Sequence, residues 1–117
     1  MASNTSGLSI NNDVIARMAE MATLETDGVV AMDNRPISLH NILGKKGGTK
    51  SVLVSTEHGI IDIELYIKVN DSAKVSDIAE RVQTGVKEKL QGMTGSAVTK
   101  VNVVVTDVEL SDEGADA

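Results

Sequence analysis

The sequence predicts a two-layer α+β domain, in which two helices cover one face of a small, mostly antiparallel sheet. Three observations support this prediction. Alternating apolar and polar residues with a central turn form a β-hairpin pattern at 51–69. One segment before the hairpin and one after it carry apolar residues at helical spacing. A β-branched segment then fills 98–108. The expected element order is α-β-β-α-β, with the strand order in the sheet left open.

The first helix is predicted to begin after Asn11, whose side chain suits an N-cap, with Asp13 near the positive end of the helix dipole. Its apolar residues would form one buried stripe, namely Val14, Ile15, Met18, Ala19, Met21 and Ala22. Gly28 is expected to end this region in a left-handed conformation. Residues 8–10 fit a very short strand, and residues 29–32 fit either a strand or a buried connection.

The segment 33–50 loses the periodicity of its neighbours. Pro36 and several glycines interrupt it, and within it 38–43 has the pattern of a helical turn. We therefore expect a flexible loop, which in a compact domain is often functional or mobile.

The hairpin consists of a strand at 51–56, a turn at 57–59 and a second strand at 60–69. In the second strand, the residues expected to face the core are Ile61, Ile63, Leu65, Ile67 and Val69. The opposite side would carry Asp62, Glu64, Tyr66 and Lys68. This alternation predicts a sheet with one buried face and one largely solvated face.

The second helix is expected to be capped by Ser72 or Ser76 and to end near Gly92 and Gly95. Its apolar stripe is Val75, Ile78, Ala79, Val82, Val86, Leu90 and Met93. In the last strand, Val101, Val103 and Val105 would share one face. The predicted core between sheet and helices includes Ile63, Leu65, Val82 and Val103.

The length of 117 residues fits one domain, which we place at 8–108. Residues 1–7 are expected to be disordered, and 109–117 an acidic disordered tail. The formal charge of −6 repels nucleic acid and anionic lipid at long range. The lack of cysteine excludes disulfides, thiolate metal sites and a cysteine nucleophile. No apolar run approaches the roughly 18 residues of a membrane span, and no signal peptide is visible, so we expect a cytoplasmic protein.

Catalytic and metal sites find little support. His40 and His58 lack a second histidine at metal-ligand spacing, so both are interpreted as surface residues, and no metal or cofactor is expected. Asp62 and Glu64 lie roughly 7 Å apart on one strand face, a separation that suits an acid–base pair. Alternating charges, including Lys68, are nevertheless typical of a solvated sheet surface. Ser38 has no nucleophile-elbow pattern beside His40. We therefore predict no enzyme activity.

A lysine-rich loop gives an alternative function. Gly44 to Gly47 enclose Lys45 and Lys46 and resemble the GXXG loop that clamps a nucleic-acid backbone in the KH fold, with Lys50 close by. A KH domain requires a helix after this loop, whereas here a strand pattern follows. The acidic balance and the single aromatic residue also favour a protein partner over RNA. RNA binding remains the alternative hypothesis.

Three stretches together resemble one known family. They are Ile15 to Ala22 leading into Glu25-Thr26-Asp27-Gly28-Val29, then Ile61 to Leu65, and then Met93-Thr94-Gly95 followed by Val98 and Val101-Asn102-Val103. In these features the chain resembles the alkaline shock protein, or envelope stress response, family of mainly Gram-positive bacteria. The resemblance covers about Leu8 to Val108.

The resemblance implies a cytosolic, stress-associated bacterial protein with no established enzymatic activity and no catalytic residues to transfer. Some members are held at the membrane by a separate membrane-spanning partner and can self-assemble. We therefore expect a non-enzymatic interaction or scaffold protein of the envelope or general stress response. Candidate contact residues are Lys45, Lys46, Lys50, Asp62, Glu64 and Tyr66. Asn102 is expected to bond a neighbouring loop.

Overall fold

A computed structural model of the chain describes residues 10–36 and 47–111. Its elements, in chain order, are α1 (Asn12–Leu24), β1 (Val29–Met32), β2 (Gly47–Gly48), β3 (Val52–Glu57), β4 (Ile60–Asn70), α2 (Val75–Thr94) and β5 (Ala97–Glu109). The two-layer α+β class is confirmed, and the short strands β1 and β2 add to the predicted order. Ile10 lies outside any strand, while 1–9, 37–46 and 112–117, with the predictions made there, lie outside the described residues.

Strand β4 is the centre of the sheet. Strand β3 pairs antiparallel with 60–65 of β4, and β1 pairs antiparallel with 67–69. Strand β5 pairs parallel with β4 over 60–70, and so takes the whole of its other edge. Strand β2 extends the sheet beyond β3 in an antiparallel pair. Three of the four pairings are antiparallel, which agrees with the predicted mostly antiparallel sheet.

Helix α1 begins as predicted. The Val14 N–H donates to Asn11 Oδ1 at 3.0 Å, which satisfies one of the backbone donors left free at a helix start. The predicted buried stripe is wrong at its margins, because Val14 and Met21 are 37% and 58% exposed. The helix instead buries a set that is small apart from one isoleucine: Ile15, Ala16, Ala19, Ala22 and Thr23.

Gly28 has the left-handed conformation that was predicted, with φ of 99°. A Cβ at this position would lie 2.7 Å from Ile78 Cδ1 of α2. The glycine therefore serves both the reversal of the chain and the close approach of α2.

Helix α2 is not capped by Ser72 or Ser76, so that prediction is wrong. Lys74 occupies the N-cap and makes no side-chain cap bond, since an ammonium has no acceptor. Ser72 belongs to the turn that follows β4. Its N–H donates to Asn70 Oδ1 at 3.0 Å, a bond that is typical of a turn. At the other end Gly95 has φ of 75°, as expected of a glycine that terminates a helix.

The core lies between one face of the sheet and both helices. Ile63, Leu65 and Val82 are at most 2% exposed, as predicted, whereas Val103 is only partly buried. Val103 lies in β5, an edge strand that has a neighbouring strand on one side alone within the described residues. Met93, predicted in the α2 stripe, is 53% exposed in the last helical turn.

Candidate partner-binding face of the sheet

The sheet turns one face away from both helices, and we call it the open sheet face. Strict alternation along β4 puts apolar residues against the helices and polar residues on this second face, as the sequence predicted. The neighbouring strands contribute residues in the same register. Its members are Leu53, Ser55, Asp62, Glu64, Tyr66, Lys68, Lys100, Asn102 and Val104.

Two carboxylates on this face are held by side chains from β5. The Thr99 hydroxyl donates to Asp62 Oδ1 at 2.7 Å, and Asn102 Nδ2 donates to Glu64 Oε2 at 3.0 Å. The prediction that Asn102 bonds a loop is wrong, because the parallel register sets it beside Glu64. These bonds fix the direction of both carboxylates.

Strand β5 has irregular pairing at two places where a threonine is inserted. Register shifts lie between Ile61 and Asp62, and between Ile67 and Lys68, on the β4 side. The unpaired β5 residues are Thr99 and Thr106. The Thr106 hydroxyl donates to Asp33 Oδ2 at 2.6 Å and contacts the Ile67 carbonyl oxygen at 3.2 Å. Each bulge therefore re-aims a hydroxyl toward a carboxylate.

Tyr66 lies in the middle of β4 on the open sheet face. Partial burial raises the pKa of the Tyr66 phenol, and the Glu64 carboxylate beside it raises that pKa further, whereas the Arg35 charge opposes the shift. Close by, the Thr106 hydroxyl bond lowers the pKa of Asp33, helped by the Asn34 N–H and the Lys68 charge. The raised pKa keeps the Tyr66 phenol neutral at neutral pH, with the Glu64 carboxylate and the Arg35 guanidinium close to it.

A shallow groove of about 210 Å³ lies on this face. It is lined by Leu53, Ser55, Asp62, Ile63, Glu64, Lys100 and Asn102. Leu53 gives it an apolar floor, since this residue is on the open sheet face and yet only 7% exposed. Carboxylates, an ammonium and a hydroxyl around an apolar floor suit the side chains and amides of a polypeptide.

The structure brings Asp62, Glu64 and Tyr66 together, but not the lysines. Lys45 and Lys46 lie outside the described residues. Lys50 is exposed between β2 and β3 and does not line the groove. Gly47, the last residue of the GXXG-like motif, lies in β2, so the chain goes on into a strand and not into the helix of a KH domain.

Sequence reasoning missed several residues that belong to the open sheet face or bond to groups near it. The roles of Thr99 and Thr106 could not be predicted, because a β-bulge has no sequence signature within a run of β-branched residues. Arg35 could not be predicted because it lies in the aperiodic segment 33–50. Its backbone N–H donates to the Lys50 carbonyl oxygen at 2.7 Å, and its Nε donates to the Thr49 carbonyl oxygen at 2.9 Å. Lys100 and Asn102 follow from strand alternation once the partner strand of β5 is known.

Metal binding has no support within the described part of the chain. Among residues 10–36 and 47–111, no group of three His, Asp or Glu side chains is placed to hold a metal ion. His58 is exposed in the two-residue hairpin turn with Gly59, where both residues have positive φ, and His40 lies outside the described residues. Within the same residues, no helix is long and apolar enough to cross a membrane.

Comparison with known proteins identifies relatives along almost the whole chain. The model of the alkaline shock protein 23 family, described as having a cell envelope-related function, matches residues 1–110. The uncharacterized protein YloU of Bacillus subtilis (strain 168) is 34% identical over 108 residues, covering 90% of each chain. The uncharacterized protein Spy1614 of Streptococcus pyogenes serotype M6 is 26% identical over 109 residues, covering 91% of this chain and 90% of its own.

Among solved structures, a variant of the MamM CTD is 12% identical and aligns with a TM-score of 0.49. The alignment covers 80% of this chain and 91% of that one. Nothing about function follows from a likeness at this level.

Proposed function

We propose that this chain, which belongs to the alkaline shock protein 23 family with its cell envelope-related function, acts by binding other proteins through the open sheet face. In this proposal it is a non-catalytic interaction or scaffold protein of the envelope or general stress response. A membrane protein is the partner that would bring it to the envelope.

The observation that supports this proposal most is the pre-organised polar ladder across β4 and β5. Thr99 fixes Asp62 and Asn102 fixes Glu64, both at hydrogen-bond distances of 3.0 Å or less. Carboxylates held in place lose little conformational entropy when a partner binds, and this favours affinity. A ladder with the apolar Leu53 beneath it and Tyr66 beside it has the mixed character of a transient protein interface.

The chemistry of the face indicates which partner groups would fit. Asp62 and Glu64 accept hydrogen bonds, so they suit arginine, lysine or backbone N–H groups of a partner. Lys100 on the same groove suits a carboxylate. Tyr66 offers a flat apolar ring with a hydroxyl that stays protonated at neutral pH.

Recruitment by a membrane protein is favoured over direct lipid binding by the charges on the helices. Helix α1 carries Arg17 as its cation, near Glu20 and Glu25. Helix α2 mixes both signs: Lys74, Arg81, Lys87 and Lys89 with Asp77, Glu80 and Glu88. Neither has the Lys/Arg-rich polar face of an interfacial helix.

The test is affinity capture from native cells with three forms of the chain. The wild type is compared with the double variant Glu64→Lys, Tyr66→Ala on the open sheet face. The matched control is Glu80→Lys, Thr84→Ala on the exposed side of α2. Thermal unfolding of each purified form shows that it is folded.

We expect a discrete set of proteins, including a membrane protein, to be captured by the wild type and the α2 variant and lost with the sheet variant. Equal capture by all three folded forms would refute the proposal. Loss of the captured proteins after ribonuclease treatment would favour the RNA-binding alternative instead.

A further inference from the structure

The outer edge of β5 has no strand partner among the described residues. Strand β5 pairs with β4 along one edge over its full length, and the sheet ends there. Edge strands expose unpaired N–H and C=O groups that can bind another strand, so natural proteins usually block them. How β5 is blocked therefore indicates which part of it is available.

The pairing of β4 shows which β5 groups point outward. The Tyr66 N–H donates to the Ser51 oxygen, and the Tyr66 oxygen accepts from the Asp33 N–H, so the Tyr66 groups point away from β5. The backbone N–H and C=O groups of successive residues point to opposite sides of a strand. The backbone groups of Leu65 and Ile67 therefore point toward β5. Leu65 faces Val103 and Ile67 faces Val105. In a parallel pair, a residue opposite one whose backbone groups point toward it directs its own N–H and C=O groups to the other side. The backbone N–H and C=O groups of Val103 and Val105 therefore lie on the outer edge of β5.

Outward groups on both sides of Val103 and Val105 are bonded within the chain. Gln91 Oε1 of α2 accepts from the Val98 N–H at 3.1 Å, and Gln83 Nε2 donates to the Val101 oxygen at 3.2 Å. Toward the other end the Thr106 bulge interrupts the strand, and Asp107 Oδ1 accepts from the Val108 N–H at 2.9 Å. Glutamines and a bulge thus flank one open segment, 103–105.

We propose that the segment 103–105 of β5 pairs antiparallel with the same segment of a second copy of the chain. This inference deepens the proposed protein-binding role by naming one partner and a second surface, the strand edge. A two-fold axis at Val104 would set Val103 of each copy opposite Val105 of the other. Their outward groups would then form four backbone hydrogen bonds, and the two sheets would become continuous.

Charge complementarity favours a second copy in this orientation. Lys100 lies before the open segment and Asp107 and Glu109 lie after it, in register with the open-face residues of β4. The two-fold arrangement sets Lys100 of each copy near Asp107 of the other, whereas a parallel arrangement would set like charges together. The partly buried Val103 and Val105 would also cover one another on the helix side of the sheet.

The absence of cysteine allows a test that reports the register. In this arrangement Val104 of one copy lies opposite Val104 of the other, in a pair without backbone hydrogen bonds. The Cα atoms of such a pair lie roughly 4.5 Å apart, which is close enough for a disulfide. Asn102, on the same sheet face, would lie roughly 13 Å from its own copy and out of reach. The probes are therefore the full-length variants Val104→Cys and Asn102→Cys under mild oxidation.

We expect Val104→Cys to give at least tenfold more disulfide-linked dimer than Asn102→Cys. In the cysteine-free chain, sedimentation equilibrium should show a dimer that Lys100→Asp weakens and that the double variant Lys100→Asp, Asp107→Lys restores. The matched control Arg81→Asp, on α2, should leave the dimer unchanged. Equal cross-linking at both cysteine positions, or a monomer at all concentrations, would overturn the proposal.

The two proposals fail in different ways. If the edge does not dimerise while Glu64→Lys, Tyr66→Ala still removes captured proteins, the role of the open sheet face stands without the dimer. If the dimer forms and capture does not depend on the open sheet face, the edge pairing stands and the proposed function fails.

Discussion

Tyr66 shows how one side chain reports on the open sheet face. Its phenol is partly buried beside the Glu64 carboxylate, and both influences raise its pKa above the ordinary value of 10.0. The chain has one tyrosine and no tryptophan, so the ultraviolet absorbance of the ionised phenol reports on this residue alone.

We expect the Tyr66 phenol of the folded protein to titrate above 10.0 and Glu64→Gln to lower its pKa toward that value. Because the folded pKa is the raised one, the stability linked to Tyr66 is complete below 10.0 and declines as the pH rises toward the folded pKa. Titration of the ultraviolet absorbance at alkaline pH measures the phenol pKa in the wild type and in Glu64→Gln, with the unfolded chain in denaturant as the reference. An identical phenol pKa in wild type and Glu64→Gln would contradict the assigned cause.

At the residue scale, the sequence predicted which residues of β4 share a face but not what holds them. Asp62, Glu64 and Tyr66 follow from strict alternation, which needs no tertiary information. Their partners Thr99 and Asn102 come from a strand more than thirty positions away in sequence. Long-range register of this kind depends on the whole sheet, so it could not be predicted from local pattern.

Strand β4 is the element on which the packing depends. Every second residue from Ile61 to Val69 is at most 2% exposed and contacts the two-helix layer. The sequence predicted this alternation, because strand periodicity is a local property.

Truncation of Ile63 to alanine should therefore lower the free energy of unfolding by about 2–5 kcal/mol, since it leaves a cavity in the core. Asp62→Ala, the neighbour on the opposite face, should cost about 1 kcal/mol or less through loss of its bond to Thr99. Denaturant unfolding measures both changes. A larger loss for Asp62→Ala would show that the assigned faces of β4 are reversed.

Two glycines offer a second, matched comparison. Gly28→Ala would introduce a Cβ at 2.7 Å from Ile78 Cδ1 and at positive φ, so it should destabilise the fold. Gly85→Ala, inside α2, meets nothing closer than Thr26 Oγ1 at 4.0 Å and should stabilise the helix by about 0.5–1 kcal/mol. Thermal unfolding of the two variants should give midpoints that move in opposite directions. A stable Gly28→Ala protein would contradict the close helix–sheet contact.

At the element scale, local pattern predicted the two helices and the three longer strands, and it failed for the short ones. Strand β2 consists of Gly47 and Gly48 and has no side chains that show periodicity, so its pairing with β3 leaves no signal in the sequence. The sequence of β1 is ambiguous for a similar reason, since four apolar residues fit either a strand or a buried connection.

For the whole molecule, the question is whether the proposed association with the envelope is direct or mediated by a protein. Met21 and Leu24 of α1 are more than half exposed, but Glu20 and Glu25 are close in sequence and Arg17 is the cation of that helix. The chain as a whole carries a charge of −6. These charges oppose binding to anionic lipid.

Purified protein should therefore remain in the supernatant when it is sedimented with anionic vesicles at physiological salt. Vesicles that also contain the captured membrane partner should bring it into the pellet. Stable binding to protein-free vesicles would contradict recruitment by a partner.

Photo-cross-linking in native cells shows whether partners bind the open sheet face. A photoreactive phenylalanine analogue replaces Tyr66 in one strain, and the exposed Glu80 of α2 in a second strain. We expect discrete protein adducts at position 66 and few or none at position 80. No adduct at position 66, or the same adducts at both positions, would contradict it.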